Sequence, residues 1–186
     1  MRKDFNLWRC RFCDHELTEY GICPFCNAPY EAILHPSEWF DWQIEELDST
    51  ALEHLVKTLR LEQKNLIFYQ ELEERAPTNE MKAYFRHLRR VEEYHRDEVA
   101  GLLEIDYEEL EIEELKIPDD FIEVLKKSKE VEKKAIEHYE IALSHAKEIE
   151  EEDLVFFYEC LIFAENKHID IFNWLKPLVE YGERNI

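Results

Sequence analysis

The sequence predicts an all-α protein: a four-helix bundle with one long crossover, preceded by a small four-cysteine metal module. Three observations predict it. Four amphipathic segments of about 25 residues follow one another, joined in the order short loop, long loop, short loop. Glycine is scarce, 3 of 186 residues, while Glu, Lys, Leu and Ala abound. The first 35 residues hold four of the five cysteines and show no helical period.

The elements divide the chain into a module (1–35), a connector (36–48), the bundle (49–178) and a tail (179–186). In the module, Cys10-R-F-Cys13 and Cys23-P-F-Cys26 form two knuckles with the spacing of a tetrahedral sulfur site. Such a site holds zinc as a structural cross-link or iron as a one-electron carrier, and spacing does not choose between them. Trp8, Phe12, Tyr20, Phe25 and Tyr30 are expected to wrap the sulfurs. Trp39, Phe40 and Trp42 in the connector are expected to dock the module on the bundle.

Helix one is expected to start at a capping box, Thr50-A-L-Glu53, and to run to Arg75, where APTN breaks it. Helix two is expected over Asn79–Glu104. The connection after it, IDYEELEIEELKIPD, is too long for a tight helical hairpin. Helix three opens at Pro118 with a box at Asp120-F-I-Glu123 and continues to Ile149. Helix four is expected over Glu152–Leu175, closed by Pro177.

Each helix carries ionisable residues in the middle of its apolar stripe. On helix four, Tyr158, Leu161, Glu165, His168, Phe172 and Leu175 share a face; on helix two, Phe85, Leu88, Glu92, His95, Val99 and Leu102 do. One E-x-x-H is a weak signal, but two at matching positions are a repeat. Helices one and three carry a different pair, Glu62 with Tyr69 and Glu132 with Tyr139. On helix three the stripe reads Leu125, Glu132, Ile136, Tyr139, Leu143. Asp97 and Asp170 fall on the outer face. Four glutamates aimed into one core would cost several kcal/mol each unless cations compensate them. Two divalent metals do so, with His95 and His168 completing their shells; one Glu from each of two helices and Glu-x-x-His from each of the others is a known di-metal ligand set. Mixed carboxylate and imidazole suits iron or manganese better than zinc or calcium. Tyr69 and Tyr139 either hydrogen-bond ligand carboxylates or simply pack. Cys160 reads as a small buried hydrophobe.

Net charge is −21, which disfavours nucleic acid and anionic lipid as partners and attracts cations. No charge-free apolar stretch of about 18 residues offers a membrane span. The start, MRKDFNLWRC, lacks the apolar region of a secretory signal, so the expected compartment is the cytoplasm.

On these motifs the chain resembles the rubrerythrins along nearly its whole length. WRCRFC and CPFCNAPYEAI resemble that family's rubredoxin-like module, and Glu62, Glu92, His95, Glu132, Glu165 and His168 match its di-iron ligands. The resemblance implies a ferritin-like bundle with two Fe, a head-to-tail homodimer, and reduction of hydrogen peroxide to water. It implies an NAD(P)H-dependent reductase and a rubredoxin-type carrier as electron source. Three departures stand out. The module precedes the bundle, whereas many members carry it last. The knuckles are nine residues apart, and Asp14 and Asn27 replace the glycine usual after each second cysteine. Helix three reads Glu132-K-K-Ala135 where many members have E-x-x-E. The last departure points towards the alternative of a ferritin-like protein that oxidises Fe(II) with O2, with structural zinc on the cysteines.

Overall fold

In the computed structural model, the described residues are 7–13, 15–39, 44, 47–105 and 116–183, with side chains to 177. The elements are β1 (Trp8–Cys10), β2 (Glu16–Leu17), β3 (Ile33–Leu34), α1 (Ser49–Arg75), α2 (Asn79–Leu103), α3 (Phe121–Glu148) and α4 (Glu152–Glu183). Phe40, Trp42, Asp14 and most of the connection between α2 and α3 lie outside the described residues.

The amino-terminal strands form a small antiparallel sheet in the order β2-β1-β3. Trp8 pairs with Leu17, and Cys10 with Ile33, so the strand carrying the first knuckle is central. Asn27 takes φ 55°, the left-handed conformation that closes the second knuckle, and its N–H donates to the Cys23 carbonyl at 3.1 Å.

Side-chain caps open three helices. Asp48 Oδ1 accepts from Ala51 N–H at 2.7 Å, so α1 begins at Ser49; Thr50, expected as the cap, lies inside the first turn. A carboxylate also complements the positive end of the helix dipole. Thr78 caps α2 through Met81 N–H, and Asp120 caps α3 through Glu123 N–H at 2.9 Å. Glu123 pairs with Lys126. Helix α2 ends at Leu103, one residue before the expected end, because Glu104 turns left-handed at φ 51°. Helix α3 likewise stops at Glu148, with Ile149 as its cap.

Helix α4 departs most from expectation. It runs to Glu183, through Pro177 and into the segment read as a tail. Proline lacks the N–H that would bond the carbonyl of Asn173, but its fixed φ is helical, so the helix passes through at the loss of one bond.

Helices α1 and α2 pack together, as do α3 and α4, and α1 meets α3 between the pairs. The buried interior forms two apolar clusters. One includes Leu55, Leu59, Val99, Tyr139, Phe157 and Leu161 and is continuous with the module. The other includes Phe68, Leu72, Phe85, Leu88, Leu125 and Phe172. Along every helix the mid-stripe glutamates and histidines fall between these clusters, as a polar layer inside the bundle. On α3 the buried face differs from the expected stripe. Ser128, Ala135, Ala142 and Ala146 line it, while Ile136 and Leu143 are half-buried flanks. Small residues there let α3 approach its neighbours closely. Among the described residues no helix is long and apolar enough to cross a membrane.

Candidate metal centres

The four cysteines of the two knuckles converge. Their sulfurs all lie within 4.8 Å of one another, with Cys10 Sγ to Cys26 Sγ at 3.5 Å and Cys13 Sγ to Cys23 Sγ at 3.7 Å. A tetrahedron of sulfurs about 2.3 Å from a central ion has edges of about 3.8 Å, so the quartet is shaped for one metal. All four are free thiols; Cys10, Cys23 and Cys26 are buried and Cys13 is half-buried. Their protons are shared unequally. Hydrogen bonds from Cys10 and Cys13 pull Cys23 far down, the Cys10 contact pushes Cys13 up, and burial pushes Cys26 up. A thiolate is already favoured in the group, and a cation would draw out the others.

The expected sulfur wrapping is only partly present. Tyr20 and Tyr30 are about half exposed, at 53% and 52%; they lean on each other, and Tyr20 leans on Trp8. Phe12 turns the other way, into the bundle. It is fully buried, edge-on to the His95 ring at 5.2 Å between centroids and against Phe157 at 5.3 Å. Arg11, also buried, reaches Asp153 at the start of α4 at 3.2 Å. Arg11 and Phe12 thus help dock the module, and Ile44 and Leu47 of the connector pack on the same core. Of the connector aromatics, Trp39 lies under the module's Arg9 guanidinium at 4.2 Å, while Phe40 and Trp42 are outside the described residues.

Inside the bundle, Glu62, Glu92, His95, Glu132, Glu165 and His168 are all completely buried. They form two overlapping nests, Glu62–Glu92–His95–Glu165 and Glu92–Glu132–Glu165–His168. His95 Nδ1 lies 3.5 Å from Glu62 Oε2, 3.8 Å from Glu92 Oε2 and 3.5 Å from Glu165 Oε1. His168 Nδ1 lies 3.2 Å from Glu92 Oε1, 3.3 Å from Glu132 Oε1 and 2.7 Å from Glu165 Oε2. Each of Glu92 and Glu165 thus presents one oxygen to each nest. Glu62 and His95 serve one nest alone, and Glu132 and His168 the other.

The ends of this layer are tied crosswise. Tyr139 of α3 donates its hydroxyl to Glu62 Oε1 of α1 at 2.5 Å, and Tyr69 of α1 donates to Glu132 Oε1 of α3. Burial and the neighbouring carboxylates push both phenols well above their ordinary range, so they stay protonated.

Many of the inward atoms make no well-aligned hydrogen bond among the described residues: both oxygens of Glu92 and Glu165, Oε2 of Glu62 and Glu132, and Nδ1 of both histidines. So many orphaned buried acceptors fit cations, since an uncompensated buried carboxylate is costly. The proton balance agrees. Burial raises Glu62 and Glu132 well above the usual carboxylate range. For His95 and His168 burial opposes charge, yet the facing carboxylates outweigh it and raise both far above 6.5. Glu92 is held low against burial by the two imidazoles. Protons on these groups would offset the carboxylate charge in place of two metals, and metal binding would release them.

One contact joins the two clusters, and nothing in the sequence signals it because it uses a backbone atom. His95 Nε2 lies 3.5 Å from the carbonyl oxygen of Cys26. Donation there orients the ring with Nδ1 towards the carboxylates.

Asp97 and Asp170 are exposed on the outer faces. Cys160 is buried in the core with its thiol pushed up by burial. Set against protein-family models and curated proteins, the chain matches none.

Proposed function

We propose that this chain is a rubrerythrin-like protein with a ferritin-like bundle, a di-iron peroxidase reducing hydrogen peroxide to water with electrons passed through a four-cysteine iron. The observation that carries the reading is the pair of nests sharing Glu92 and Glu165. Glu92 and Glu165, common to both nests, would hold two metals close together, with Glu62 and His95 serving one and Glu132 and His168 the other.

Reduction of one peroxide consumes two electrons and two protons and yields two waters. Two irons in this donor set would supply the electron pair. The protein's part is to fix the donors and exclude bulk water. Tyr69 and Tyr139 hold the terminal carboxylates in place and keep protons at their hydroxyl oxygens. The 3.5 Å approach of His95 Nε2 to the Cys26 carbonyl supports electron entry from the chain's own module. An NAD(P)H-dependent reductase or a rubredoxin would recharge that module, and the assembled form in this reading is a homodimer.

The test is anaerobic. The reduced protein is mixed with peroxide or with O2 and reoxidation of the bundle irons is followed. Reoxidation by peroxide at least tenfold faster than by O2 is expected. An equal or slower reaction with peroxide would overturn the reading.

A second reading has one observation in its favour. Ala135 is fully buried on α3, where the resembling family often places a further glutamate. Without that carboxylate the site is closer to a ferritin-type Fe(II)-oxidising centre, with zinc as a structural staple on the cysteines. Preference for O2 and uptake of iron beyond two per bundle would mark it.

A further inference from the structure

On the α1–α3 face, outside the carboxylate layer, lies a cleft of about 300 Å³. Leu61 and Phe68 of α1 and Val131 of α3 make its apolar floor. Four lysines stand around it: Lys64 on α1, Lys127 and Lys134 on α3, and Lys116 ahead of α3. None makes an ion pair with the described residues. In a chain of net charge −21, four ammonium groups around one cleft with no ion pair among the described residues are a local reversal of charge.

A second, independent feature sits in the same cleft. Asn65 is 2% exposed, and its Nδ2 has no hydrogen-bond partner among the described residues. A buried amide donor is normally satisfied; here the residue that carries the unsatisfied one borders the cleft.

We propose that this cleft binds an organic phosphate of nucleotide size. Lys127 and Lys134 are two turns apart, about 10 Å along α3, with Lys64 across from them. Charges spread over that length suit several anionic groups, whereas a fatty acid needs cations at one end only. Lysine binds phosphate as a point charge. The apolar floor takes the uncharged part of the ligand, and Asn65 Nδ2 donates to one of its oxygens. The volume is at the small end for a ligand pocket. This inference does not depend on what the carboxylate layer does.

The test is calorimetric titration of the full, metal-loaded chain with ADP, with pyrophosphate and with decanoate. Saturable binding of one ADP per chain is expected, weakening with added salt and at least tenfold in the double variant Lys127→Gln/Lys134→Gln. Asn65→Leu is expected to weaken ADP while leaving pyrophosphate unchanged. Absence of saturable ADP binding overturns the proposal. So does ADP heat that survives in the double variant, which marks chelation of metal, or decanoate binding more tightly than ADP. Peroxide reactivity of the double variant should equal that of the native chain, so failure here and failure of the proposed activity are separable.

Discussion

Glu92 and Glu165 are completely buried, with neither oxygen of either in a well-aligned hydrogen bond among the described residues, and they stand between two imidazoles. Removing one donor beside them should empty the centre. Glu132→Ala and His168→Ala are each expected to abolish paired metal loading while far-ultraviolet circular dichroism keeps its helical amplitude. Tyr139→Phe removes only the bond to Glu62 Oε1 and should retain both metals, with affinity lowered about 10- to 100-fold in a competition titration. His138 is a separate case. It is buried against Thr58 and the His54 carbonyl, and burial lowers its pKa to about 4 from 6.5. The unfolded chain takes up a proton below pH 6.5 that the folded chain refuses until about pH 4, so stability drains as pH falls through that window. His138→Gln should lessen that loss, read as a smaller shift in the denaturant midpoint between the two ends of the window. At this scale the ligand candidates were legible because E-x-x-H and E-x6-Y put side chains in register with the apolar stripe. Asn65 was not, since a single polar residue on an amphipathic helix gives no sign of whether its partner is missing.

At the scale of elements, docking of the module is the feature with most consequence. It depends on Phe12, which leaves the knuckle to pack on His95 and Phe157. Phe12→Ala should weaken docking by about 3–5 kcal/mol, the usual loss for a buried aromatic. Faster amide exchange over β1–β3, with the helices unchanged, would report it; unchanged protection in the sheet would refute it. The sequence placed Phe12 around the sulfurs because spacing in a loop-rich module says little about which way a side chain turns. Helix ends were legible where a cap has a distinctive partner, as at Asp120, and less so where neighbours compete. Asp48, Ser49 and Thr50 all can cap, and Asp48 wins with a charged acceptor at the helix amino terminus. Pro177 misled because proline usually stops a helix, yet α4 continues to Glu183 at the loss of one backbone bond.

For the whole molecule, four helices place a polar layer between two apolar clusters, and the module closes on one end of it. The number of helices and the order of their loops were legible from hydrophobic period and breakers, because those signals extend over tens of residues. The link between the two candidate metal sites was not, because it joins a histidine to a backbone carbonyl 69 residues away. In the proposed protein one chain holds a metal pair and a separate four-cysteine metal. Iron and zinc atoms per chain, counted in protein produced with ample iron, test it most directly. Three irons are expected for the native chain and one for His168→Ala. One metal or fewer in the native chain, or an unchanged count in the variant, would contradict it.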